Sequence, residues 1–423
     1  MNNIFKFWQY KDLRNKIIVA ASLLILTRVL AHIPLPGVNL EQLRNFFDQN
    51  QVFGFLNMFS GGTMSTFSII LMGVGPYITA SIVFQLLGMI FPKIEEIQKE
   101  GESGRHKITQ WTRLATVPLA FVQAYSMLLI LRNQGVIPAW TVFDLVLMLV
   151  SVTAGTILLM WIGEIITEKG IGNGASMIIA LGILSGFPNQ LKNTWLILQS
   201  GDTKQILGAI VVALVFIAVT AAIIVIQEGQ RNIPVTYARK ARYGQTSGFS
   251  SQLPIRVNIA GVIPIIFAMS MLVIPGVLFK YLENARTHWL ANGSTAAYNF
   301  LNNHTYYSII YFVLVFLFTF FYTNIVFKPD QIAENLQKQS GFIPGIRPGT
   351  ETKDYLYTII SRITFVGAVF LGLIAILPFV IQSATNITTI TLGGTGILIL
   401  VSVVIETMRQ MQSQITMHTY ERY

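Results

Sequence analysis

Apolar stretches of about twenty residues recur along the whole chain, the length at which a helix crosses a bilayer's hydrocarbon core. Bounded by charges or by Pro, Gly and Asn clusters, they fall at residues 17–33, 68–90, 114–131, 142–166, 175–187, 206–226, 257–279, 306–327, 357–381 and 390–405, ten spans in all. The fold class is an all-α polytopic membrane protein. Composition agrees: 53% of residues are hydrophobic and 11% charged, against about 25% charged in soluble domains, which excludes a soluble globular enzyme. With no cysteine in the chain, disulfide frameworks, thiolate catalysis and Cys-ligated metal sites are excluded as well.

The net charge of +10 matters less than where the basic residues sit. With the amino terminus inside, 22 of the 29 Lys and Arg residues fall on the cytoplasmic side and six on the other, while Arg28 lies within the first span. That bias orients the chain with both termini cytoplasmic. Lys11, Arg14 and Lys16 before the first span resemble the start of a signal peptide, but no small-residue cleavage site follows, so the span reads as retained. Five spans on each side of residues 191–205 fit inverted halves that enclose a path, although an even division also arises by chance.

Three segments are unusual. Residues 52–67, VFGFLNMFSGGTMSTF, are apolar and aromatic, but at 16 residues with two adjacent glycines they are too short to span comfortably. They read either as a re-entrant segment buried in the bundle or as an interfacial helix on the outer surface. The cytoplasmic loops 227–256 and 328–355 far exceed the roughly two to eight residues usual between packed helices. The first carries Arg231, Arg239, Lys240 and Arg242 among Tyr237 and Tyr243, and the second sets Arg347 in GFIPGIRPG, a stiff turn. Both suit a docking surface for an RNA-bearing or acidic partner, or serve orientation alone. GIGNG at 170–174 reads as an anion cradle or as a tight turn between spans.

The middles of the spans carry no ionisable residue, which argues against a proton-coupled transporter. HExxH, GxSxG, Walker and GxGxxG patterns are all absent, leaving protease and ATPase readings without an anchor. The polar residues within spans are neutral, among them Thr79, Gln85, Gln123 and Asn258, and hydrogen bonds between such groups are weak, about 0.6–2 kcal/mol. A secondary transporter for a neutral solute and an intramembrane hydrolase are the rival classes.

Six blocks resemble one family closely: FLNMFSGG (55–62), GVGPYITASIVFQLL (73–87), KEGESGRHKITQWTR (99–113), MWIGEIITEKGIGNGASMII (160–179), VNIAGVIPIIFA (257–268) and GFIPGIRPG (341–349). In order and over nearly the whole chain they are similar to SecY, the channel subunit family of the Sec protein translocase, related to the alpha subunit of the eukaryotic Sec translocon. The resemblance implies two pseudo-symmetric five-helix halves, 1–190 and 206–408, joined by an external hinge at 191–205 and followed by a cytoplasmic tail at 409–423.

It further implies a non-enzymatic channel that needs no cofactor and passes unfolded secretory polypeptides across the bacterial cytoplasmic membrane. The plug would be the re-entrant segment at about 52–67, including Phe55, Asn57, Met58, Phe59, Ser60, Gly61 and Gly62. The pore ring would be Val74, Ile78, Ala175, Ile179, Ile266 and Ile399, with Ala175 small for that role. Thr79, Gln123 and Asn258 match a lateral gate that releases transmembrane segments into lipid. Arg239, Lys240, Arg242, Arg256 and Arg347 match the surface that docks the ribosome or the SecA motor ATPase. SecE and SecG subunits, preproteins with their signal sequences, membrane lipid, YidC and SecDF complete the implied partners.

Overall fold

A computed structural model describes residues 10–35, 43, 60, 62–133, 135–137, 140–199, 203–237, 250–283, 288–385 and 394–420. In order, its elements are α1 (Lys11–Ala31), α2 (Gly75–Ile90), α3 (Pro92–Lys99), α4 (Glu102–Asn133), α5 (Val142–Lys169), α6 (Gly174–Gln199) and α7 (Thr203–Glu228). Then follow β1 (Gln230–Tyr237), β2 (Ser250–Arg256), α8 (Ile263–Leu282), α9 (His288–Asn302), α10 (His304–Val326), α11 (Pro329–Lys338), β3 (Gly341–Phe342), α12 (Thr350–Thr385) and α13 (Gly394–Tyr420). Among the described residues seven helices are long and apolar enough to cross a membrane, or eight if the bent pair α2–α3 counts as one span. The other two expected spans are α1, with 21 residues, and α8, with 20, each about 30 Å long at ~1.5 Å per residue.

Several expected boundaries are corrected. The second span begins at Gly75, not at residue 68, because Phe67 (φ +47°) and Gly73 (φ +56°) sit in the left-handed region and residues 68–74 form turns. Pro76 then lies in the first turn of α2, where its missing N–H costs no hydrogen bond. The expected cytoplasmic loop 93–113 is helical: Pro92 disfavours helix at the residue before it, so the chain breaks at Phe91 and turns 107° into α3. Helix α4 then starts at Glu102. The short fifth span is the 26-residue α6, which runs into the expected hinge. The seventh starts late, at Ile263, after turns at 259–262, and α13 carries the expected tail as helix to Tyr420.

Two compact units are present. The first comprises Met1–Leu196, Leu272–Asn303 and Val403–Tyr423. One core joins the turns around Met64, Phe67, Leu71 and Met72 to Leu128 and Leu131 of α4 and to Leu149 and Val152 of α5. Helices α2, α4 and α5 pack on one another, and α1 packs on α5.

The second unit comprises Ile197–Met271 and His304–Ser402. Here α10 packs along α12, with Phe267 of α8 edge-on to Phe318 and Tyr322 of α10. Outside the spans, the two expected loops fold into a three-stranded sheet of order β2-β1-β3 with α11 against it. Antiparallel register sets Ile233 against Leu253 and Thr236 against Phe342. Ile233, Val235 and Ile255 of the sheet, Leu336 of α11, and Leu356, Ile359 and Ile360 of α12 share one core. The helical class therefore holds for the spans, and a small sheet is added beyond them.

Candidate functional site

Four of the six expected apolar ring positions form two pairs one helical turn apart, Val74 with Ile78 and Ala175 with Ile179, while Ile266 and Ile399 stand singly on two further helices. Val74 precedes α2 and is buried, and its carbonyl accepts the N–H of half-buried Ile78 at 3.0 Å. On α6, Ala175 is half-buried and Ile179 buried. In the second unit Ile266 of α8 is half-buried and Ile399 of α13 is fully buried. The first unit thus carries four of the six positions and the second carries two.

Close backbone contact fixes the start of α6. A Cβ on Gly174 would collide with the carbonyl oxygen of Gly163 on α5, so only glycine permits that approach. Thr167 locks the same place: its hydroxyl accepts the Gly174 N–H at 2.9 Å and donates to the Gly163 carbonyl at 2.9 Å. The side chain of Asn173 caps α6 by accepting the Ser176 N–H at 3.1 Å. Gln410 of α13 accepts the Gly172 N–H at 2.9 Å. With these donors occupied, GIGNG is a tight turn, not an anion cradle, and no sequence signal pointed to Gln410.

Before α2 the chain is non-helical yet buried. Thr63 donates to the carbonyl of Ser60 at 2.9 Å, and Thr66 donates to that of Ala31 at 3.1 Å. The Leu35 N–H reaches the Phe67 carbonyl at 2.8 Å, and the Ile69 N–H reaches that of Ile33 at 3.1 Å. A Cβ on Gly155 of α5 would strike the Ile69 carbonyl oxygen, so that glycine makes room for the turns. Of the plug residues, Ser60 and Gly62 belong to this stretch, whereas Phe55, Asn57, Met58, Phe59 and Gly61 lie outside the described residues.

Of the expected gate residues, Thr79 bonds within its own helix, whereas Asn258 also reaches back to the end of α7. Thr79 donates to the Gly75 carbonyl of its own helix at 3.0 Å. Gln123 is half-buried on α4. Asn258, buried after β2, donates to Gln227 at 3.0 Å and to the Gly261 carbonyl at 3.2 Å, while its Oδ1 has no partner among the described residues. Sequence reasoning also missed the Arg113–Glu164 pair, 2.8 Å apart, which ties α4 to α5 beside Gly163.

Arg347 sits at an exposed turn on the sheet module. Pro344 and Gly345 (φ +83°) occupy the centre of a turn closed by the Ile346 N–H on the Ile343 carbonyl at 3.0 Å, the pattern of a type II turn that needs glycine at its third position. Arg256 ends β2 with its side chain exposed. Arg239, Lys240 and Arg242 lie between β1 and β2, outside the described residues.

A multi-span helix bundle with buried non-helical backbone, glycine-tight helix contacts and a basic module outside the spans defines a polytopic helical membrane protein. The SecY family model matches residues 68–408. The chain is 42% identical to the protein translocase subunit SecY of Halalkalibacterium halodurans, over 100% of this chain and 99% of that one. Two solved structures share the fold, each over 95% of this chain and 92% of theirs. One is a protein-conducting channel, at TM-score 0.66 and 19% identity. The other is Sec61 in the canine ribosome-channel complex from the endoplasmic reticulum, at TM-score 0.65 and 19% identity. The chain belongs to the SecY family and is a protein-conducting channel subunit of a translocase, not an enzyme. Membership removes the solute-transporter and hydrolase readings.

Proposed function

We propose that secretory polypeptides cross the bacterial cytoplasmic membrane through this chain, with both termini on the cytoplasmic side. One observation carries the reading: buried, non-helical backbone at 62–74 leads directly into Val74 and Ile78. At membrane depth such backbone survives only inside protein or along a watery path. The turns belong to the plug, and Val74, Ile78, Ala175, Ile179, Ile266 and Ile399 form the ring. Branched aliphatic groups cannot hydrate ions, so the ring gates by dewetting and closes around any peptide without reading its sequence. Residues 1–190 and 206–408 act as the two halves around the hinge 191–205.

Thr79, Gln123 and Asn258 line the lateral gate. The bonds of Thr79 to Gly75 and of Asn258 to Gln227 and Gly261 supply modest strength that an apolar signal helix can displace. The basic module, with Arg256 and Arg347, docks the ribosome or SecA, a reading supported by the ribosome-bound Sec61 structure. SecE and SecG complete the complex, and YidC and SecDF act with it.

Proteoliposomes holding the complex with SecE, SecG and SecA test this: a preprotein should become protease-protected only when ATP is supplied. In planar bilayers, Ile78→Gly together with Ile179→Gly should raise resting ion conductance, and unchanged conductance would remove both residues from the ring.

A further inference from the structure

The docking arginine is held by residues with no docking role of their own. Both backbone polar groups of Arg347 are taken by side chains from the first turn of α12: its N–H donates to Glu351 Oε2 at 3.3 Å, and its carbonyl accepts the Thr352 hydroxyl at 2.8 Å. Thr352 is 2% exposed. It lies one turn before Leu356, on the face of α12 that packs against the sheet core. The Arg347 side chain is exposed. The turn before it is fixed by Pro344 and Gly345, and Gly349 (φ +104°) fixes the return into α12.

We infer that Thr352, assisted by Glu351, is a positioning residue that presents the Arg347 guanidinium to phosphate groups of ribosomal RNA. The inference rests on the docking reading of Arg347. A guanidinium is a rigid fork suited to phosphate, and it binds best when the backbone beneath it is already ordered, because ordering then costs nothing on contact. Thr352 is buried and its hydroxyl is spent on the Arg347 carbonyl, so its influence on the partner passes through the Arg347 backbone.

The test is a double-mutant cycle in the full SecY–SecE–SecG complex with purified bacterial ribosomes as the probe. Thr352→Val should weaken binding about three- to tenfold, and Thr352→Ser should restore it. In an Arg347→Ala background Thr352→Val should have no further effect. Equal weakening in both backgrounds, or none in the parent, would overturn the inference. Limited proteolysis of the module is run on each variant, so that a loss caused by unfolding shows as new cleavage and counts against a positioning role. The Arg347→Ala arm separates the two claims: wild-type binding by that variant removes the docking reading itself, whereas weakened binding by it, together with a Thr352→Val that has no effect in the parent, removes only the positioning role.

Discussion

In the first unit the non-helical backbone at 62–74 is buried among helices, whereas in the second the strands β1, β2 and β3 lie outside the spans and carry exposed side chains beside their buried face. At 62–74 the turns satisfy their amides on one another and on residues just past α1, and Gly155 yields the space they occupy. In the β1-β2-β3 module the strands pair with each other, Ile233, Val235 and Ile255 face the core, and Arg256 and Arg347 point to water. Irregular backbone within a membrane must be sealed by close packing, while irregular backbone in water can display charge. On the proposed function, the same contrast separates a gate, where neutrality and fit matter, from a docking surface, where presented charge matters.

Three variants probe that contrast, beginning with the largest effect. Gly155→Leu should cost on the order of 3 kcal/mol or more by driving a side chain into the Ile69 carbonyl. Thermal unfolding of the purified complex should show it, and a wild-type Tm would mean that the turns are not held there. Leu356→Ala, at a fully buried position of the module core, should cost about 2–3 kcal/mol locally. Protease should then cut the module faster while the spans melt as before; melting of the spans as well would erase the distinction between sealed and displayed backbone. Arg113→Gln should cost about 1–2 kcal/mol, since Glu164 is only 16% exposed while Arg113 is 38% exposed and partly screened. The exchange of Arg113→Glu with Glu164→Arg should recover part of that loss in the same melting experiment, and an exchange no better than the single variant would deny the pair its role.

Much of this was legible in the sequence, and the failures have physical causes. Apolar runs located the spans because length and hydropathy are local properties. The second span was drawn too long because hydropathy continues through Ser68–Val74, whereas the left-handed backbone at Phe67 and Gly73 that breaks the helix leaves no mark on hydropathy. The sheet was hidden for two reasons. Pro234 and Pro254 weaken the reading of their strands, and the edge pair Tyr237 with Gly341 joins segments distant in sequence. The GIGNG alternatives could not be decided from the motif, because its deciding partner, Gln410, lies 238 residues further on. The stiff turn at Arg347 was readable from Pro344 and Gly345, but the Thr352 hydroxyl beneath it was not, since a threonine in a helix's first turn has many unremarkable uses.

The most direct measurement places single cysteines at Ile78 and Ile179 in this cysteine-free chain and tests crosslinking to a cysteine within a stalled preprotein. Crosslinks at both positions are predicted, because the proposed ring brings the passing polypeptide against them. A verified stalled preprotein that crosslinks at neither position would contradict a path through the ring.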